Sequence, residues 1–406
     1  MSNLEELIER LCPDGVEYKE INDCTIKVQN IKWKSYVGED KQYIDLSSVD
    51  RERNIITETQ NIDADTAPSR AQQIVMKDDI IFGTTRPMLK RYCIIPEKYD
   101  GEICSTGFCV LRAKTDIINP RWLYHNITTN NFFAYVEKNQ QGTSYPAISD
   151  TIVKAFKLPV PPLEVQREIV RILDNFTFLT TELAAELAAR QKQYEYYRDL
   201  LLTFKSNEST ILNERTNELE LSGAIRWMKL GDTCVLKAGK AISATEISQN
   251  VNDDYIYPCY GGNGLRGYVK NYNQDGKHPL IGRQGALCGN VCYACNKFYA
   301  TEHAVVVSPS DLYNEKFLYY LLDFAKLEQY KTAGAQPGLS VARLEKIILP
   351  VPPLEQQQRI VDILDRFETL CNDISSGLPA EIEARQKQYE YYRDKLLTFK
   401  ELKKEA

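Results

Sequence analysis

A long internal repeat is the feature of this sequence that most constrains its fold. The decapeptide RQKQYEYYRD occupies residues 190–199 and returns unchanged at residues 385–394. Upstream, LPVPPLE occurs at residues 158–164 and again at 349–355. The offsets are 195 and 191 positions, so the second copy carries four extra residues between its ends. The chain therefore consists of two variable regions, each followed by a copy of one segment. The copies also align further upstream, where SYPAIS (144–149) stands opposite AQPGLS (335–340).

Hydrophobic spacing predicts that the first copy is one long helix. Its apolar and aromatic residues alternate in steps of four and three, which is a heptad seam. The members of the seam are Ile169, Leu173, Phe176, Thr180, Leu183, Leu187, Arg190, Tyr194, Tyr197, Leu201 and Phe204. Pro161 and Pro162 suit a first helical turn, where a missing N–H has no partner to lose. About forty residues of helix make a rod of about 60 Å.

The second copy is predicted to be a broken helix. Its seam takes two successive steps of four after Ile374, and such a stutter unwinds a coiled coil locally. Gly377 and Pro379 fall at that point, and proline inside a helix removes a hydrogen bond and clashes with the preceding turn. We therefore expect two helices with a break near residues 375–379. The seam residues are Ile360, Leu364, Phe367, Cys371, Ile374, Leu378, Ile382, Arg385, Tyr389, Tyr392, Leu396 and Phe399.

Two heptad helices that each follow a globular region most simply pack on each other, and an antiparallel pair would relate the halves by a pseudo-two-fold axis. The alternative is that each helix lies on its own domain. We predict an α+β fold in which two mixed α/β domains are separated by two long helices packed as an antiparallel coiled coil. The predicted segments are a first domain (1–157), a first repeated helical segment (158–206), a linker (207–224), a second domain (225–348) and a second repeated helical segment (349–406).

The variable regions combine patterns of short strands and helices. QQIVMKDDIIFGTTRP (72–87) predicts two strands around an Asp-Asp turn, and GFCVLRA (107–113) predicts another. HPLIGRQGALCGNVCYACNKFYATEHAVVVSP (278–309) predicts consecutive short strands. Each region closes with an aromatic stretch that we expect to be helical, NPRWLYHNITTNNFFAYV (119–136) and NEKFLYYLLDFAKLEQY (314–330).

Composition places the chain among ordinary globular proteins. It has 406 residues, of which 43% are hydrophobic and 26% charged, enough for two or three domains. No apolar run reaches the roughly 18 residues of a membrane span, and the acidic N-terminus is not a signal peptide. Eleven cysteines, an odd number, predict free thiols in a reducing cytosol. We expect a cytoplasmic protein that does not associate with membranes. Net charge is −6, but residues 225–350 are mildly basic. This region can therefore present a basic surface although the whole chain is acidic.

The motifs give little support for an enzyme. PDGVEYK contains Asp14, Glu17 and Lys19, the residue types of a metal-dependent nuclease, but the two acids are too close and no hydrophobic strand lies between them. GGNGLRG (261–267) lacks the Lys-Ser/Thr of a phosphate-binding loop, so a glycine-rich turn that could approach a DNA groove explains it better. No Asn-Pro-Pro-aromatic motif of the kind used by adenine methyltransferases occurs.

Three cysteines have spacings that zinc sites also use. Cys288, Cys292 and Cys295 stand in CGNVCYAC, with Cys259 further back. The stretch alternates like a strand, which would point Cys288 and Cys292 to one face and Cys295 to the other. We favour buried free thiols and predict no metal site, with zinc as the alternative. The histidines are far apart in sequence: His125, His278 and His303.

The sequence resembles the specificity subunit of type I DNA restriction–modification systems. The resemblance covers nearly the whole chain and rests on LEELIERLCPDGVEYKEI, on LPVPPLEVQREIV, and on QKQYEYYRDLLLTF with its second copy. It implies a non-catalytic reader of double-stranded DNA in which each variable region is a target recognition domain for half of a bipartite site. It also implies that the helices space the two domains and dock two methyltransferase subunits, which use S-adenosylmethionine to methylate adenine N6. Restriction subunits, which use ATP and Mg, would join through them, while this chain would bind no cofactor.

DNA recognition needs donors and acceptors that reach base edges, and cations that reach phosphates. The predicted DNA-binding residues of the first domain are Lys32, Lys34, Thr84, Thr85, Arg86, Lys90, Arg91 and Tyr145. Those of the second domain are Lys240, Tyr260, Asn263, Arg266, Arg283, Gln284 and Gln336. In the first domain Thr84, Thr85 and Arg86 are expected to read bases, and the other cations are expected to contact phosphates. The prediction depends on clustering of these residues in loops at comparable places in both halves.

The two decapeptides supply candidate docking residues, because tyrosine and arginine are enriched at interface hot spots. Tyr194 and Tyr197 lie on the seam and are expected to pack the helix pair. The predicted partner-binding residues are Tyr196, Arg198, Tyr391 and Arg393. Two other functional classes stay open: a helical scaffold that does not read DNA, and a self-contained nuclease.

Overall fold

The fold divides into two compact units. The computed structural model describes residues 2–204, 210–212, 219–221, 225–285, 287–332, 338–373 and 375–402. The first unit comprises Met1–Ala184 with Glu381–Ala406, and the second comprises Ala185–Ala380. Each unit therefore contains one variable region together with helices from both repeated segments.

The first unit contains ten strands and the first five α-helices. The strands are β1 (Glu17–Glu20), β2 (Thr25–Ile26), β3 (Lys41–Ile44), β4 (Gln60–Ile62), β5 (Ala71–Ile74), β6 (Ile80–Gly83), β7 (Tyr92–Ile94), β8 (Ile103–Ser105), β9 (Phe108–Ala113) and β10 (Lys157–Val160). The helices are α1 (Ser2–Leu11), α2 (Ile21–Cys24), α3 (Pro120–Ile127), α4 (Asn130–Asn139) and α5 (Asp150–Lys154). The long helix α6 (Leu163–Leu202) begins in this unit and ends in the second.

The second unit repeats this order of elements. Its strands are β11 (Thr210–Leu212), β12 (Leu219–Leu221), β13 (Arg226–Lys229), β14 (Cys234–Ala238), β15 (Tyr257–Gly261), β16 (Gly264–Val269), β17 (Gln274–Asp275), β18 (His278–Gly282), β19 (Val291–Ala294), β20 (Lys297–Ala300), β21 (Ala304–Pro309) and β22 (Ile348–Val351). Its helices are α7 (Leu230–Thr233), α8 (Glu315–Phe324), α9 (Val341–Leu344) and α10 (Leu354–Asn372). Helix α11 (Leu378–Leu396) follows and falls almost entirely in the first unit. The strands and aromatic helices predicted in both variable regions are present.

Strand order shows that the two units share one topology. The first unit has a sheet of order β2-β9-β6-β7 and a sheet of order β4-β3-β8-β5. The second unit has sheets of order β14-β21-β18-β19 and β16-β15-β20-β17, which match them strand for strand. In each unit one pair is parallel, β3 with β8 and β15 with β20. The internal repeat in the sequence is therefore an internal repeat in the fold.

Alternating side chains explain why these short apolar stretches form sheets buried on both faces. In β6, Ile80 and Phe82 pack into one core cluster, while Ile81 between them packs into another. The partner strand β9 divides in the same way, with Leu111 in the first cluster and Val110 in the second. Successive residues of a strand point to opposite faces, so a continuous apolar run suits a sheet covered on both sides.

Matching polar contacts attach the aromatic helix of each unit to a repeated helix. Asn119 caps α3, and its backbone N–H donates to the side chain of Gln166 at 2.8 Å. Asn314 caps α8 and donates to Gln357 at 2.7 Å. Both glutamines are fully buried. Because buried polar groups need partners, these bonds fix where each domain meets its helix.

In the first unit the start of α6 packs against α11. The rings of Phe176 and Tyr392 stack at 5.6 Å with an interplanar angle of 17°. The backbone N–H of Val16 donates to the carbonyl of Lys400 at 2.9 Å, and the adjacent Glu17 pairs with Val160, just before α6. The end of α11 therefore lies beside the start of α6, and the two helices are antiparallel.

In the second unit the end of α6 packs against α10. Tyr197 stacks on Phe367 at 5.6 Å with an interplanar angle of 25°. Leu201, further along α6, enters the same core as Ile360, which lies earlier in α10. This pair is therefore antiparallel as well, and helices from different repeats pack together as predicted.

The predicted break in the second repeated segment is present. Helix α10 ends at Asn372 and α11 begins at Leu378. Asp373 accepts hydrogen bonds from Ser375 and Ser376 between them, which holds a turn in place of continued helix. A Cβ at Gly377 would lie 2.6 Å from the carbonyl oxygen of Thr369, so only glycine fits there. Ile374 of the predicted seam lies outside the described residues. None of the described helices combines the length and apolar character needed to cross a membrane.

Candidate nucleic-acid interface

The loop after β6 is joined by backbone bonds to two other segments of the first unit. The N–H of Thr84 donates to the carbonyl of Gly107 at 2.8 Å, and the N–H of Ile148 donates to the carbonyl of Thr84 at 3.0 Å. Arg86 donates to the carbonyl of Pro146 at 2.7 Å. The segments 83–91 and 142–149, which carry the candidates Thr85, Arg86 and Tyr145, therefore form one surface.

Arg86 and Tyr145 form the most exposed part of this surface. The guanidinium carbon of Arg86 lies 4.4 Å from the centroid of the Tyr145 ring, and 71% of Tyr145 is exposed. Arg86 and Lys90 both have left-handed backbone conformations, with φ of 50° and 54°, at the two ends of the 3-10 turn Pro87–Leu89. Such conformations cost about 1–2 kcal/mol for residues other than glycine, so the surrounding bonds hold the loop in this shape.

The second unit builds the same junction at the corresponding loop after β18. Arg283 donates its backbone N–H to the carbonyl of His303 at 2.9 Å, and Leu339 donates to the carbonyl of Arg283 at 2.9 Å. Gln284 pairs with Gly338 as Thr85 pairs with Ala147 in the first unit. The loop that carries Thr84 and Thr85 and the loop that carries Arg283 and Gln284 therefore occupy comparable places in the two halves.

The glycine-rich turn GGNGLRG packs directly on this second junction. A Cβ at Gly262 would lie 2.7 Å from the carbonyl oxygen of Gln284, and a Cβ at Gly282 would lie 1.9 Å from the carbonyl oxygen of Gly262. Only glycine allows this approach. It brings Asn263, which is exposed beside Gly262, next to the loop that carries Gln284.

The remaining candidates differ in exposure. Lys32 and Lys34 are exposed on either side of Trp33, whose indole N–H donates to the carbonyl of Ala71 at 2.5 Å. Lys240 is exposed, and its backbone N–H donates to the carbonyl of Ala300 at 3.0 Å. The other exposed candidates are Lys90, Arg266 and Gln284; the partly buried ones are Thr85, Arg91, Tyr260 and Arg283. Gln336 lies outside the described residues.

Two predicted contact residues are engaged inside the protein, so we leave them out of the proposed surfaces. Thr84 is buried, and its hydroxyl donates to the carbonyl of Gly107 at 2.8 Å. Arg393 is 5% exposed, and its guanidinium pairs with Asp394 at 2.7 Å. The sequence pattern placed both on accessible surfaces because it does not show which loop or helix covers them.

Sequence reasoning missed the turn at His303. The imidazole Nε2 of His303 lies 3.1 Å from a carboxylate oxygen of Glu302. Three buried atoms at this turn have no hydrogen-bond partner among the described residues, namely His303 Nδ1, Glu302 Oε2 and Arg283 Nε. Unpaired buried polar atoms are rare and suit a site that bonds to a ligand. The signal for this turn is its correspondence to Ser105–Gly107, which becomes visible only once the strands are aligned.

The cysteine stretch is not a continuous strand. Strand β19 covers only Val291–Ala294, so Cys288 precedes it and Cys295 follows it. Cys288 and Cys292 enter different core clusters, so the expectation that they share a face was wrong; the chain turns at Gly289, where φ is 99°. Burial raises the pKa of Cys292 to about 11. Within the described ranges, no three metal-ligating side chains are grouped to hold an ion.

The two decapeptides present the same aromatic pair in both units. Tyr196 and Tyr391 are each 62% exposed. Tyr196 meets Tyr197 edge to face at 5.4 Å, and Tyr391 meets Tyr392 in the same way at 5.3 Å. Large exposed aromatic rings held in one orientation are typical of protein–protein contact sites. Arg198 is half-buried and paired with Asp199.

Comparison with known families decides what these paired units are. A family model described as "Type I restriction modification DNA specificity domain" matches residues 13–190 and 225–384, one match in each half. The chain belongs to this family. The predicted resemblance and the predicted fold class are both confirmed.

Curated relatives and solved structures agree with this assignment. The chain is 45% identical over 252 residues to the type I restriction enzyme EcoprrI specificity subunit of Escherichia coli, covering 59% of each protein. It is 35% identical over 272 residues to the EcoR124I/EcoR124II specificity subunit of Escherichia coli, covering 60% of this chain and 63% of that protein. The matches thus span less than two thirds of these relatives.

Two solved structures show the same fold over nearly the full length. A chain from a study of complex assembly and conformational transition of the type I R-M system aligns with a TM-score of 0.63, 24% identity, and coverage of 95% of this chain and 98% of that one. The HsdS subunit of Thermoanaerobacter tengcongensis aligns with a TM-score of 0.55, 24% identity, and coverage of 95% and 97%.

Proposed function

We propose that this chain is the DNA-recognition subunit of a type I restriction–modification complex, in which each unit reads one half of a bipartite site. The observation that carries the proposal is the same loop junction built twice, once at Thr84 and Thr85, next to Arg86, and once at Arg283 and Gln284. Two equivalent recognition surfaces in one chain suit a DNA site made of two separate halves.

The side chains at the two junctions suit different bases. Arg86 is held over Tyr145, which leaves its N–H groups free to bond guanine O6 and N7, the commonest specific contact of arginine. Asn263 and Gln284 carry amides, which match the N6 and N7 atoms of adenine. Lys32, Lys34 and Lys90 would bind phosphates, and Thr85 and His303 would complete the two surfaces.

A binding measurement tests this proposal. We expect Arg86→Ala to weaken binding to the cognate duplex by about 1–3 kcal/mol, roughly fivefold to over a hundredfold. Lys98→Ala is the matched control, because Lys98 also lies over a tyrosine, 4.6 Å from the ring of Tyr99, but outside the junction. The affinity should also fall steeply with salt, because phosphate contacts release counterions. Equal effects of both variants would reject Arg86 as a reader.

The same experiment separates the alternative classes. A scaffold would show no salt-dependent DNA binding, even together with a methyltransferase. A self-contained nuclease would cleave DNA when the purified chain receives magnesium alone. We propose instead that this chain is non-catalytic, binds no cofactor itself and acts in the cytoplasm. S-adenosylmethionine would belong to the methyltransferase partner, and ATP with Mg to the restriction partner.

We further propose that the two decapeptides dock two methyltransferase subunits, through which restriction subunits join. Identical sequences with matching exposure and ring geometry at Tyr196 and Tyr391 support two copies of one partner. Arg198 lies at the edge of the first of these surfaces.

We propose also that α6 sets the distance between the half-sites. Within it, ELAAELAA (182–189) is a tandem unit of strong helix formers, so its length can change without ending the helix. Deleting residues 182–185 shortens the helix by about 6 Å and rotates one end by roughly 40°. One base pair is about 3.4 Å and roughly 35°. Methylation mapping of the deletion variant should therefore show a spacer shorter by one base pair, and an unchanged spacer at full activity would contradict this role.

A further inference from the structure

The position directly after each decapeptide differs between the two repeated segments. Residues 190–205 and 385–400 are the same at every position except one, where the first has Leu200 and the second has Lys395. Two docking surfaces for copies of one partner therefore differ by an apolar side chain against a cation. This difference affects docking only if the position borders the docking surface. The structure of the first unit shows that Lys395 borders it.

Lys395 lines a groove beside Tyr391. The groove has a volume of about 440 Å³ and is lined by Asn130, Lys387, Glu390, Tyr391, Asp394 and Lys395. Two of its four charged residues, Asp394 and Lys387, are already paired, while Glu390 and Lys395 are not in an ion pair with any described residue. Asp394 accepts a hydrogen bond from Asn130 at 2.9 Å and is paired with Arg393 at 2.7 Å, and Lys387 is paired with Glu383 at 2.5 Å. Lys395, which is exposed, makes no ion pair with any described residue.

The groove continues into an apolar hollow on the far side of Lys395. This hollow has a volume of about 340 Å³ and lies between α1 and the end of α11. Its lining is mostly apolar, with Leu4, Ile8 and Phe399 among its members. It also includes the charged residues Glu5, Lys395 and Lys400. Lys395 therefore stands between a polar groove that carries the exposed Tyr391 and a mostly apolar hollow. A polypeptide segment with one acidic and several apolar side chains complements such a surface.

The corresponding place in the second unit keeps Lys192, Glu195 and Asp199 but replaces the other two polar groups, Asn130 and Lys395. Leu200 is half-buried where Lys395 is exposed, and Ala325 follows α8 where Asn130 begins α4. Among the described residues, the carboxylate of Asp199 is bonded only to Arg198, at 2.8 Å. The first decapeptide thus presents the same tyrosine as the second, but beside an apolar rather than a cationic neighbour.

We infer that the two docking surfaces are unequal, and that the surface around Lys395 receives an acidic segment of the methyltransferase partner. The inference rests on the proposed function. Because both partner copies carry the same segment, its carboxylate meets the ammonium of Lys395 in one unit and the side chain of Leu200 in the other. The copy on the first unit is therefore held more tightly, and the complex assembles in two steps with one partner bound first.

Reciprocal exchange of the two residues tests this inference in the full chain. Titration with the methyltransferase partner, followed by native mass spectrometry, measures the two binding steps. After removal of the statistical factor of about four that two identical sites would give, the two dissociation constants should be about tenfold apart, or 1.4 kcal/mol. Lys395→Leu makes the two decapeptide segments identical and should weaken the tighter step about tenfold. Leu200→Lys should strengthen the weaker step. The tighter step of the wild type should also weaken more steeply with salt, since it contains the exposed ion pair.

Lys98→Leu is the control, because it removes an exposed lysine of the first unit away from the groove. Circular dichroism checks the fold of each variant. If Leu200→Lys does not fold, the test rests on Lys395→Leu. Two equal steps in the wild type, or a Lys395→Leu variant with unchanged steps, would overturn the inference while leaving docking intact. An effect of Lys395→Leu on DNA affinity with unchanged partner binding would also overturn it. Absence of any partner binding would instead reject the proposed function.

Discussion

The two units differ most clearly at one pair of matching strand positions. In the first unit Arg112 of β9 donates to both carboxylate oxygens of Asp79, at 2.9 and 2.7 Å, and Asp79 is 2% exposed. The matching residues of the second unit are Ser308 of β21 and His278 of β18, whose side chains meet at 3.4 Å. A bidentate ion pair with a buried carboxylate thus occupies the place of a long hydrogen bond between a hydroxyl and an imidazole.

A second difference lies where each domain meets the repeated helices. In the first unit His125 bonds to Asp174 through Nε2 at 2.9 Å and to the hydroxyl of Tyr389 through Nδ1 at 3.0 Å. In the second unit Tyr320 has the place of His125, and its hydroxyl donates to the carboxylates of Asp365 and Glu368.

These differences teach which contacts specify the fold. Strand order, the buried glutamines at the helix junction and the stacked aromatic rings are the same in both units. The polar contacts at Asp79 and His125 differ from those at the matching positions of the second unit, yet the arrangement of strands and helices is the same. Apolar packing and backbone pairing therefore specify the fold. The polar contacts that differ determine how stable each unit is and how that stability depends on pH.

The largest effect is expected at Asp79. Asp79→Ala removes the buried carboxylate and leaves Arg112, whose side chain is 18% exposed, without its partner. Breaking a buried pair costs about 3–5 kcal/mol. His278→Ala, the matched change in the second unit, removes two hydrogen bonds of 3.4 Å, to Ser308 and to the carbonyl of Asp275, and should cost about 0.5–1.5 kcal/mol. Hydrogen exchange of peptides from β6 and β18 in increasing urea measures the two units separately. Similar losses in both variants would show that the ion pair does not distinguish the units.

The next largest effect is expected at the exposed tyrosines. Tyr196→Ala and Tyr391→Ala together should weaken methyltransferase binding by about 2 kcal/mol or more, over tenfold, because each removes a hot-spot side chain. Sedimentation of mixtures measures the assembly, and Tyr330→Ala, an exposed tyrosine outside the decapeptides, is the control. Normal assembly of the double variant with an unchanged circular dichroism spectrum would reject these residues as docking sites.

A smaller, pH-dependent effect is expected only in the first unit. Burial lowers the pKa of His125, and the hydrogen bond to Asp174 offsets this only in part. The folded state therefore holds neutral imidazole, whereas the unfolded chain takes up a proton as pH falls through about 6.5. Stability from this site is complete above that value and is lost below it. Asp174, whose pKa is lowered by its bonds to His125 and Arg121 despite burial, does not add to this loss until the pH is below its usual 3.8.

Hydrogen exchange of the two units at pH 7 and pH 5 tests this sign. Protection of α3 should fall at pH 5, while α8, which has Tyr320 at this position, should lack this loss. His125→Gln should make the response of the first unit flatter. Equal responses in wild type and variant would show that His125 does not titrate as its burial requires.

Periodicity made much of the fold predictable. The seam residues Ile169 and Leu173, the strands on either side of Asp78 and the break at Gly377 all follow from local rules of spacing, turn chemistry and glycine geometry. The sequence predicted which loops form the candidate site, but it did not predict which side chains in those loops are exposed. Which side chains are covered depends on backbone bonds between segments far apart in sequence, as between Thr84 and Gly107.

The turn at His303 and the burial of Arg393 escaped prediction for the same reason. His303 lies beside Arg283 only because β18 pairs with β21. Arg393 is buried because α11 of the second repeat packs into the first unit. A repeated sequence predicts a repeated fold, but it does not reveal that each decapeptide lies in the unit built by the other half's variable region.

The central claim is that each unit reads its half-site independently, and an exchange of one reader tests it most directly. Replacing residues 225–345 with the second variable region of another family member leaves the first junction and the repeated helices in place. Mapping of methylated adenines across a genome that expresses this chimera with its methyltransferase should show one half of the recognised sequence changed and the other half, with its spacer, unchanged. A change in both halves together would contradict the account.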